Sequence, residues 1–285
     1  MMEDPVNYNG EITDGNSIGF NQIKRGFNFG DGLFESIRVF NGECTLLETH
    51  FNRILNGLKI LKISFNYSFN LKSLNQYINE LLIYKNIKLG GKIKVYVFRS
   101  GLGTYKPETN QISFLIEASY LEDNKYILNK KGFLVNIYKE YTKPINKLST
   151  FKSSSSLLYV LASISSKENK LDDHLILNEK NQIIESTNSN IFLLVEDNII
   201  TPPVESGCIN GVMRLEIIKI IKELGINIVE YNIEKEDLRK AKEIFLSNVI
   251  NGIIWVGGYE SKRYYNLISK KIIENLNKKL IINRV

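Results

Sequence analysis

Residues 30–47 read GDGLFESIRVFNGECTLL, and this stretch decides how the first part of the chain folds. Apolar side chains recur at every second position near its middle, so Leu33, Ile37 and Val39 fall on one face of a β-strand. Asn41-Gly42 then forms a two-residue hairpin turn, because both residue types tolerate the positive φ angles that such turns require. The stretch therefore predicts a β-hairpin with one buried face.

The segments that follow alternate between helical and extended periodicity. Residues 48–61 and 71–86 carry apolar side chains every three or four positions, which predicts two amphipathic helices. Residues 92–99 and 112–118 alternate at every second position, which predicts two further strands. We therefore expect residues 1–120 to form a smaller N-terminal α/β domain.

The second part of the chain has a different character. Residues 121–131 are polar and lack periodicity, which predicts a linker to a larger C-terminal domain at residues 132–285. In this domain, residues 152–167 are predicted to be helical. Further strands and hairpins surround a second helix at residues 212–224, which Gly225 is expected to end.

Composition excludes several classes of protein. Hydrophobic residues make up 43% of the chain and charged residues 24%, as in ordinary globular proteins. The net charge of +6 is scattered, so nucleic acid is not an expected partner. No apolar run approaches the ~18 residues of a membrane helix. Cys44 and Cys208 form no metal-ligand spacing with His50 and His174, so we expect no metal site and a reduced, cytoplasmic protein.

Four isolated features are compatible with a phosphorylated cofactor, but each also has an ordinary explanation. Asn210-Gly211 precedes a helix whose first N–H groups favour an anion, or it is a simple turn. Arg53 flanks an apolar stripe and can pair with a phosphate, or it is a surface arginine. Lys152 begins a Ser-rich run, yet no local pattern separates it from other lysines. Glu185 ends a strand and suits a protonated ring nitrogen, or it is a loop carboxylate.

Taken in order along the chain, these features resemble the class IV aminotransferase family, the fold-type IV pyridoxal-phosphate (PLP) enzymes. The resemblance covers nearly the whole chain. The motifs that carry it are Arg25 with residues 29–35 (FGDGLFE), residues 50–54 (HFNRI), residues 152–158 (KSSSSLL), residues 184–192 (IESTNSNIF), residues 201–203 (TPP), residues 207–214 (GCINGVMR) and residues 247–249 (SNV).

The resemblance implies a fold, a cofactor and residue roles. It implies a two-domain α/β (α+β) architecture like that of D-amino-acid aminotransferase, with PLP in the interdomain cleft, and a homodimer. Lys152 would form the Schiff base and carry the proton at the carbon of a small amino substrate. Arg53 would bind the PLP phosphate, and Glu185 would contact the pyridine nitrogen. The other implied cofactor-binding residues are Asn190, Ile209, Gly211, Val212, Met213, Asn248 and Val249.

Within the family, three features resemble 4-amino-4-deoxychorismate lyases. Residues 210–214 read NGVMR, whereas the aminotransferases usually carry threonine at the position of Met213. Val249 lacks the hydroxyl that those aminotransferases tend to place there, and Phe34 replaces the tyrosine of the D-amino-acid enzymes. We therefore predict a lyase that converts 4-amino-4-deoxychorismate to 4-aminobenzoate and pyruvate in folate precursor synthesis.

Two alternatives stay open. The loop after Arg99 lacks the second arginine of the lyase pattern, so an aminotransferase acting on branched-chain or D-amino acids with 2-oxoglutarate is the alternative. Phe34 and Arg99 are the predicted substrate residues, with Arg99 on a carboxylate and Lys106 as a candidate second cation. The third interpretation, a non-catalytic protein of this fold, is disfavoured by the presence of Lys152, Glu185 and Arg53.

Overall fold

The computed structural model describes residues 2–282, and its contacts divide the chain into two units. Unit 1 comprises residues 1–125 together with Phe151–Ser155, and unit 2 comprises the remainder. The first boundary falls inside the predicted linker. The predicted C-terminal domain, residues 132–285, differs from unit 2 because the short segment around Lys152 has its contacts in unit 1.

Unit 1 is a six-stranded antiparallel sheet with two long helices packed on one face. The strand order is β2-β1-β6-β5-β3-β4. Its elements are β1 (Pro5–Tyr8), β2 (Glu11–Asp14), α1 (Phe20–Phe29), β3 (Gly32–Phe40), β4 (Glu43–Cys44), α2 (Leu47–Leu61), α3 (Leu71–Tyr84), β5 (Gly91–Arg99) and β6 (Ile112–Tyr120).

The predicted hairpin at residues 30–47 is confirmed, and it organises the core of unit 1. Leu33, Ile37 and Val39 are buried on one face of β3, where they join the apolar stripe of α2, including Ile54 and Leu58. The alternate residues of β3 therefore point to the opposite face of the sheet. Consecutive side chains of β3 therefore lie in different environments, and this difference shapes the candidate site.

Unit 2 is built around a nine-stranded sheet with the order β12-β11-β10-β13-β14-β7-β8-β9, and β15 pairs with β14. Because β9 also pairs with β10, the strands from β10 to β9 close into a barrel. The elements are β7 (Phe133–Ile137), α4 (Leu157–Glu168), β8 (Asp173–Leu177), β9 (Ile183–Ser186), β10 (Asn190–Val195), β11 (Asn198–Thr201), α5 (Val212–Glu223), β12 (Ile228–Glu230), α6 (Lys235–Lys240), β13 (Glu243–Asn248), β14 (Gly252–Tyr259), β15 (Lys262–Arg263) and α7 (Leu267–Ile282).

The helix predicted to begin at Lys152 begins instead at Leu157, so this prediction is wrong at its N-terminal end. Residues 152–154 are extended and pair with β3 through hydrogen bonds from Phe34 N to Lys152 O (2.9 Å) and from Ser154 N to Gly32 O (3.0 Å). Serine competes poorly for helical positions, and here the strand pairing satisfies the backbone of this run instead.

None of the helices between residues 2 and 282 has the length and apolar character needed to cross a membrane.

Candidate active site

Lys152 lies at the edge of the unit 1 sheet because its segment pairs with β3. β5 occupies one edge of β3 along its whole length, so residues 152–154 occupy the other edge. The Lys152 Nζ atom lies 4.6 Å from the centre of the Phe34 ring. Lys152 and Phe34, both predicted site residues, are thus brought together by backbone pairing within unit 1.

A row of two lysines and two aromatic rings, which we call the lysine–aromatic face, extends across the same side of the sheet. The rings of Phe34 and Tyr96 are 6.3 Å apart, and the two residues are register partners on β3 and β5. Lys94 Nζ lies 5.6 Å from the Tyr96 ring centre and donates a hydrogen bond to the Tyr96 hydroxyl (3.2 Å). The face therefore has one ammonium group over each ring, from Lys152 and from Lys94.

Glu117 completes the surroundings of the lysine–aromatic face. The Tyr96 hydroxyl donates to Glu117 Oε2 at 3.3 Å. The phenol therefore links Lys94 to the Glu117 carboxylate by two consecutive hydrogen bonds. Burial raises the pKa of Tyr96, and the hydrogen bond from Lys94 opposes this effect. Tyr96 therefore stays a neutral phenol at physiological pH. Lys94 and Tyr96 were not predicted as site residues. The alternation of side chains along a strand predicts the face on which each one lies, but it does not predict a functional role.

Behind this face, on the α2 side of β3, lies a cluster of ionisable residues formed by Glu35, His50 and Arg53, which we call the Glu35 cluster. Arg53 donates from Nε to Glu35 Oε1 and from Nη2 to Glu35 Oε2, both at 2.6 Å. His50 Nδ1 lies 2.7 Å from Glu35 Oε2. His50 and Arg53 are three residues apart on α2, so both reach one carboxylate.

The charges of the Glu35 cluster follow from burial and pairing. Burial alone would raise the pKa of Glu35, but the positive charge of Arg53 and the contact with His50 outweigh it and lower the pKa to about 2. Burial lowers the pKa of His50, although Glu35 opposes this, so the imidazole is neutral at pH 7 and donates its Nδ1–H to Glu35. Its Nε2 atom is buried and meets no hydrogen-bond partner in the described part of the chain.

Arg99 is held by structural contacts at the end of α2. Its guanidinium donates to Leu61 O (2.7 Å) and Lys62 O (3.1 Å), to Asn110 Oδ1 (2.6 Å) and to Asp31 Oδ2 (2.9 Å). These bonds satisfy carbonyl groups that the helix leaves without partners at its C-terminus. The guanidinium of Arg99 is thus engaged by protein groups, and its role toward a substrate carboxylate stays a prediction.

In unit 2, Glu185 is buried on β9 and accepts three hydrogen bonds. Lys143 Nζ and the Tyr159 hydroxyl donate to Oε1 at 2.6 and 2.7 Å, and the Ile209 N–H donates to Oε2 at 2.8 Å. Burial and the adjacent carboxylate raise the pKa of Tyr159 well above its ordinary value, so the phenol remains a donor. Lys143 was missed in the sequence, because it lies in a non-periodic stretch with other lysines.

The start of α5 has the features of an anion site. Gly211 is the residue before the helix and makes no side-chain cap, while Val212 and Met213 are buried in the first turn. A Cβ atom on Gly211 would overlap Asn190 Oδ1, so only glycine allows this approach. Asn190 Nδ2 in turn donates to Ile209 O at 2.8 Å. A buried helix start without a cap is a place where an anion satisfies the first N–H groups.

The end of β13 lies beside this helix start. Ser247 is the register partner of Asn190, and its hydroxyl is buried and lacks a hydrogen-bond partner among residues 2–282. Asn248 accepts from the N–H groups of Ile250 and Asn251 and donates to Ser189 Oγ, so it shapes the turn that follows. Val249 O accepts from the Tyr126 hydroxyl (2.9 Å). Asn248 and Val249 of the motif SNV were predicted to bind the cofactor, but no sequence pattern distinguished Ser247.

The predicted site residues thus fall into two groups, each assembled within its own unit. Unit 1 contains Phe34, Arg53, Arg99 and Lys152. Unit 2 contains Glu185, Asn190, Ile209, Gly211, Val212, Met213, Asn248 and Val249. Their roles toward a cofactor remain predictions carried by the family motifs.

Comparison with known proteins identifies one family over most of the chain. A model of the family described as amino-transferase class IV matches residues 32–258. The D-alanine aminotransferase of Bacillus licheniformis is 23% identical, with 87% of this chain and 86% of the relative covered. The aminodeoxychorismate lyase of Bacillus subtilis is 25% identical, with 94% of each chain covered.

Solved structures show the same fold. The branched-chain aminotransferase of the archaeon Thermoproteus uzoniensis superposes with a TM-score of 0.86 at 22% identity, over 95% of this chain and 93% of that one. The predicted mixed α/β architecture is therefore confirmed. At this level of identity the likeness establishes the fold and leaves the substrate open.

The Glu35 cluster makes the protein sensitive to acid. Because its pKa lies below the ordinary value of 4.5, Glu35 contributes stability that is fully present above pH 4.5 and is lost as the pH falls toward about 2. This change corresponds to roughly 3 kcal/mol. His50 acts in the same direction as the pH falls below its ordinary pKa of 6.5. We expect the free energy of unfolding, measured with urea, to fall continuously from pH 7 to pH 3.

The matched variants for this experiment are Glu35→Gln and Glu122→Gln. Glu35→Gln should flatten the dependence below pH 4.5, whereas Glu122, which is exposed, should leave it unchanged. An equal slope in wild type and Glu35→Gln would show that the cluster does not carry the acid dependence.

The contacts of Arg99 predict a structural role. Arg99→Met keeps much of the aliphatic stem but leaves Leu61 O and Lys62 O without their donor, so we expect the free energy of unfolding to fall by about 3 kcal/mol. Lys106→Met, at an exposed position, serves as the control and should change it by less than about 0.5 kcal/mol. Unchanged stability of Arg99→Met together with weaker substrate binding would restore the substrate role.

Proposed function

Because this chain belongs to the amino-transferase class IV family, whose members are PLP-dependent aminotransferases and lyases, we propose that it is a lyase acting on 4-amino-4-deoxychorismate. The products are 4-aminobenzoate and pyruvate. The observation that carries the proposal is the lysine–aromatic face, in which Phe34 and Tyr96 each lie beneath one lysine ammonium group.

The lysine–aromatic face matches the shape and charge of this substrate. 4-Amino-4-deoxychorismate has a six-membered cyclohexadiene ring with an amino group at one end, a carboxylate at the other and an enolpyruvyl ether beside the amino group. The rings of Phe34 and Tyr96 offer apolar surface to such a ring. With the amino group at Lys152, a carboxylate on the far side of the ring is directed toward Lys94, whose ammonium group keeps donors beyond its bond to Tyr96.

The residues present fit PLP. The buried start of α5 at Gly211, Val212 and Met213, which has no side-chain cap, suits a phosphate together with the Ser247 hydroxyl, which has no hydrogen-bond partner among residues 2–282. In unit 1, the family motif assigns Arg53 a role toward a phosphate, and its guanidinium suits such a group. Asn190 and Asn248 hold the surrounding turns, while Val249 and Ile209 border them. Glu185, a buried carboxylate on β9, suits a protonated ring nitrogen.

When bound, PLP withdraws electrons from the substrate carbon that bears the amino group. Lys152 would hold the cofactor, and its Nζ atom would accept the proton that this substrate carbon loses. Phe34 and Tyr96 orient the substrate ring and exclude water from one side of it, and Lys94 holds the distal carboxylate. Overall, the C–O bond to the enolpyruvyl group breaks, the ring becomes aromatic, and the proton lost from the ring balances the proton gained by enolpyruvate as it becomes pyruvate.

An aminotransferase is the second candidate, and Lys94 is also the feature that favours it. A distal cation would bind the second carboxylate of glutamate or 2-oxoglutarate as readily as that of the lyase substrate. Phe34 favours the lyase, because the ring beneath Lys152 carries no hydroxyl that would hold the carboxylate of an α-amino acid.

The two candidates differ in their products. Purified protein loaded with PLP is expected to release pyruvate and 4-aminobenzoate in equal amounts from 4-amino-4-deoxychorismate with no keto acid present. Lys152→Ala should abolish release, because it removes the amino group that carries the proton. Glutamate formation from 2-oxoglutarate and an amino acid, without pyruvate release from the aminodeoxychorismate, would identify an aminotransferase instead.

The distal carboxylate contact predicts a specific kinetic change. Lys94→Met keeps the stem on the Tyr96 ring but removes the charge, so we expect KM to rise about tenfold or more with little change in kcat. Lys92→Met is the matched control, since Lys92 lies two residues away on the same face of β5 and should leave KM unchanged. Equal KM values for the two variants would argue against the substrate contact.

A further inference from the structure

The Glu35 cluster has a geometry that a simple surface ion pair lacks. Glu35 receives both Nε and Nη2 of Arg53, so the carboxylate and the guanidinium lie in a two-bond fork. His50 Nδ1 adds a third hydrogen bond to the same carboxylate. Glu35 and His50 are buried, and Arg53 is 11% exposed. The plane of the guanidinium is therefore fixed before any ligand binds.

Stability alone gives a weak reason for such a cluster. Placing two charges in a protein interior costs desolvation energy, and an apolar replacement of similar volume is often equally stable or more stable. The cluster also occupies volume that apolar side chains would otherwise fill in the layer between β3 and α2, where Ile37 and Ile54 pack. The cluster does, however, fix the orientation of the Arg53 side chain, which apolar packing would not do.

We infer that Glu35 is a positioning residue, which acts on the phosphate of the cofactor by holding Arg53 in its binding orientation. The inference rests on the proposed role of Arg53 toward PLP. An arginine that is ordered in advance loses little side-chain entropy when it meets a phosphate, whereas a mobile arginine has to be ordered at the expense of affinity. His50 supports this role by fixing the carboxylate that fixes Arg53.

Two consequences of changing Glu35 have to be separated. Removal of its negative charge would strengthen the attraction of any anion to Arg53, and this effect opposes the loss of orientation. Glu35→Asp separates them, because it keeps the charge but shortens the side chain by one methylene, so the two-bond fork to Arg53 cannot form with the same geometry. The orientation effect is then measured alone.

The experiment compares two probes on the apoprotein, 4′-deoxypyridoxine 5′-phosphate and its phosphate-free parent 4′-deoxypyridoxine. Neither probe has an aldehyde, so neither reacts with Lys152, and their affinities are measured by calorimetry without any turnover. For Glu35→Asp we expect the phosphorylated probe to bind about three- to tenfold more weakly. The phosphate-free probe should bind within twofold of wild type, which a general loss of structure would not allow.

Arg53→Met and His50→Leu complete the design. Arg53→Met should weaken the binding of the phosphorylated probe only. If the ratio of the two affinities is unchanged, Arg53 does not bind the phosphate, and the inference about Glu35 is overturned with it. If the ratio of the two affinities changes in Arg53→Met but stays at the wild-type value in Glu35→Asp, only the positioning role of Glu35 is overturned. If Glu35→Asp does not fold, His50→Leu removes one bond to Glu35 without changing its charge, and a wild-type ratio there overturns the inference as well.

Discussion

Two backbone hydrogen bonds, from Phe34 N to Lys152 O and from Ser154 N to Gly32 O, are the constraint on which the candidate site of unit 1 depends. They make residues 152–154 an additional strand segment beside the first residues of β3, on the edge opposite β5. The Lys152 side chain is thereby directed over the Phe34 ring. Without this pairing the Ser-rich run would have no defined backbone partner, and Lys152 would have no fixed relation to the sheet.

β3 connects the parts of the site because its side chains alternate between two faces. Phe34 points to the lysine–aromatic face, and the next residue, Glu35, points to α2 and holds Arg53. A shift of one residue in the pairing of β3 with β5 would exchange these surroundings. The hydrophobic layer under α2 resists such a shift, since it would expose Ile37 and bury the polar face.

Periodicity predicted β3, α2 and α3 closely, because each has one buried face with a regular pattern. It failed at residues 152–156, where the apolar stripe of α4 was extended across serines that pair with β3 instead. Arg99 was predicted as a substrate residue from the loop that follows it, and its contacts with the carbonyl groups of Leu61 and Lys62 were not foreseen because those residues are distant in sequence. Lys94 and Lys143 were missed for the same reason: their surroundings depend on tertiary contacts that leave no local pattern.

Lys152 is proposed as the reactive lysine, and Lys143 is a competing candidate. Lys143 is buried, and its Nζ atom donates to Glu185 Oε1 at 2.6 Å, so a carboxylate already engages this nitrogen. The most direct measurement is reduction of the PLP-loaded protein with borohydride, followed by proteolysis and mass spectrometry of the pyridoxyl-labelled peptide. We expect one label, at Lys152, and a label at Lys143 with Lys152 unmodified would contradict the assignment.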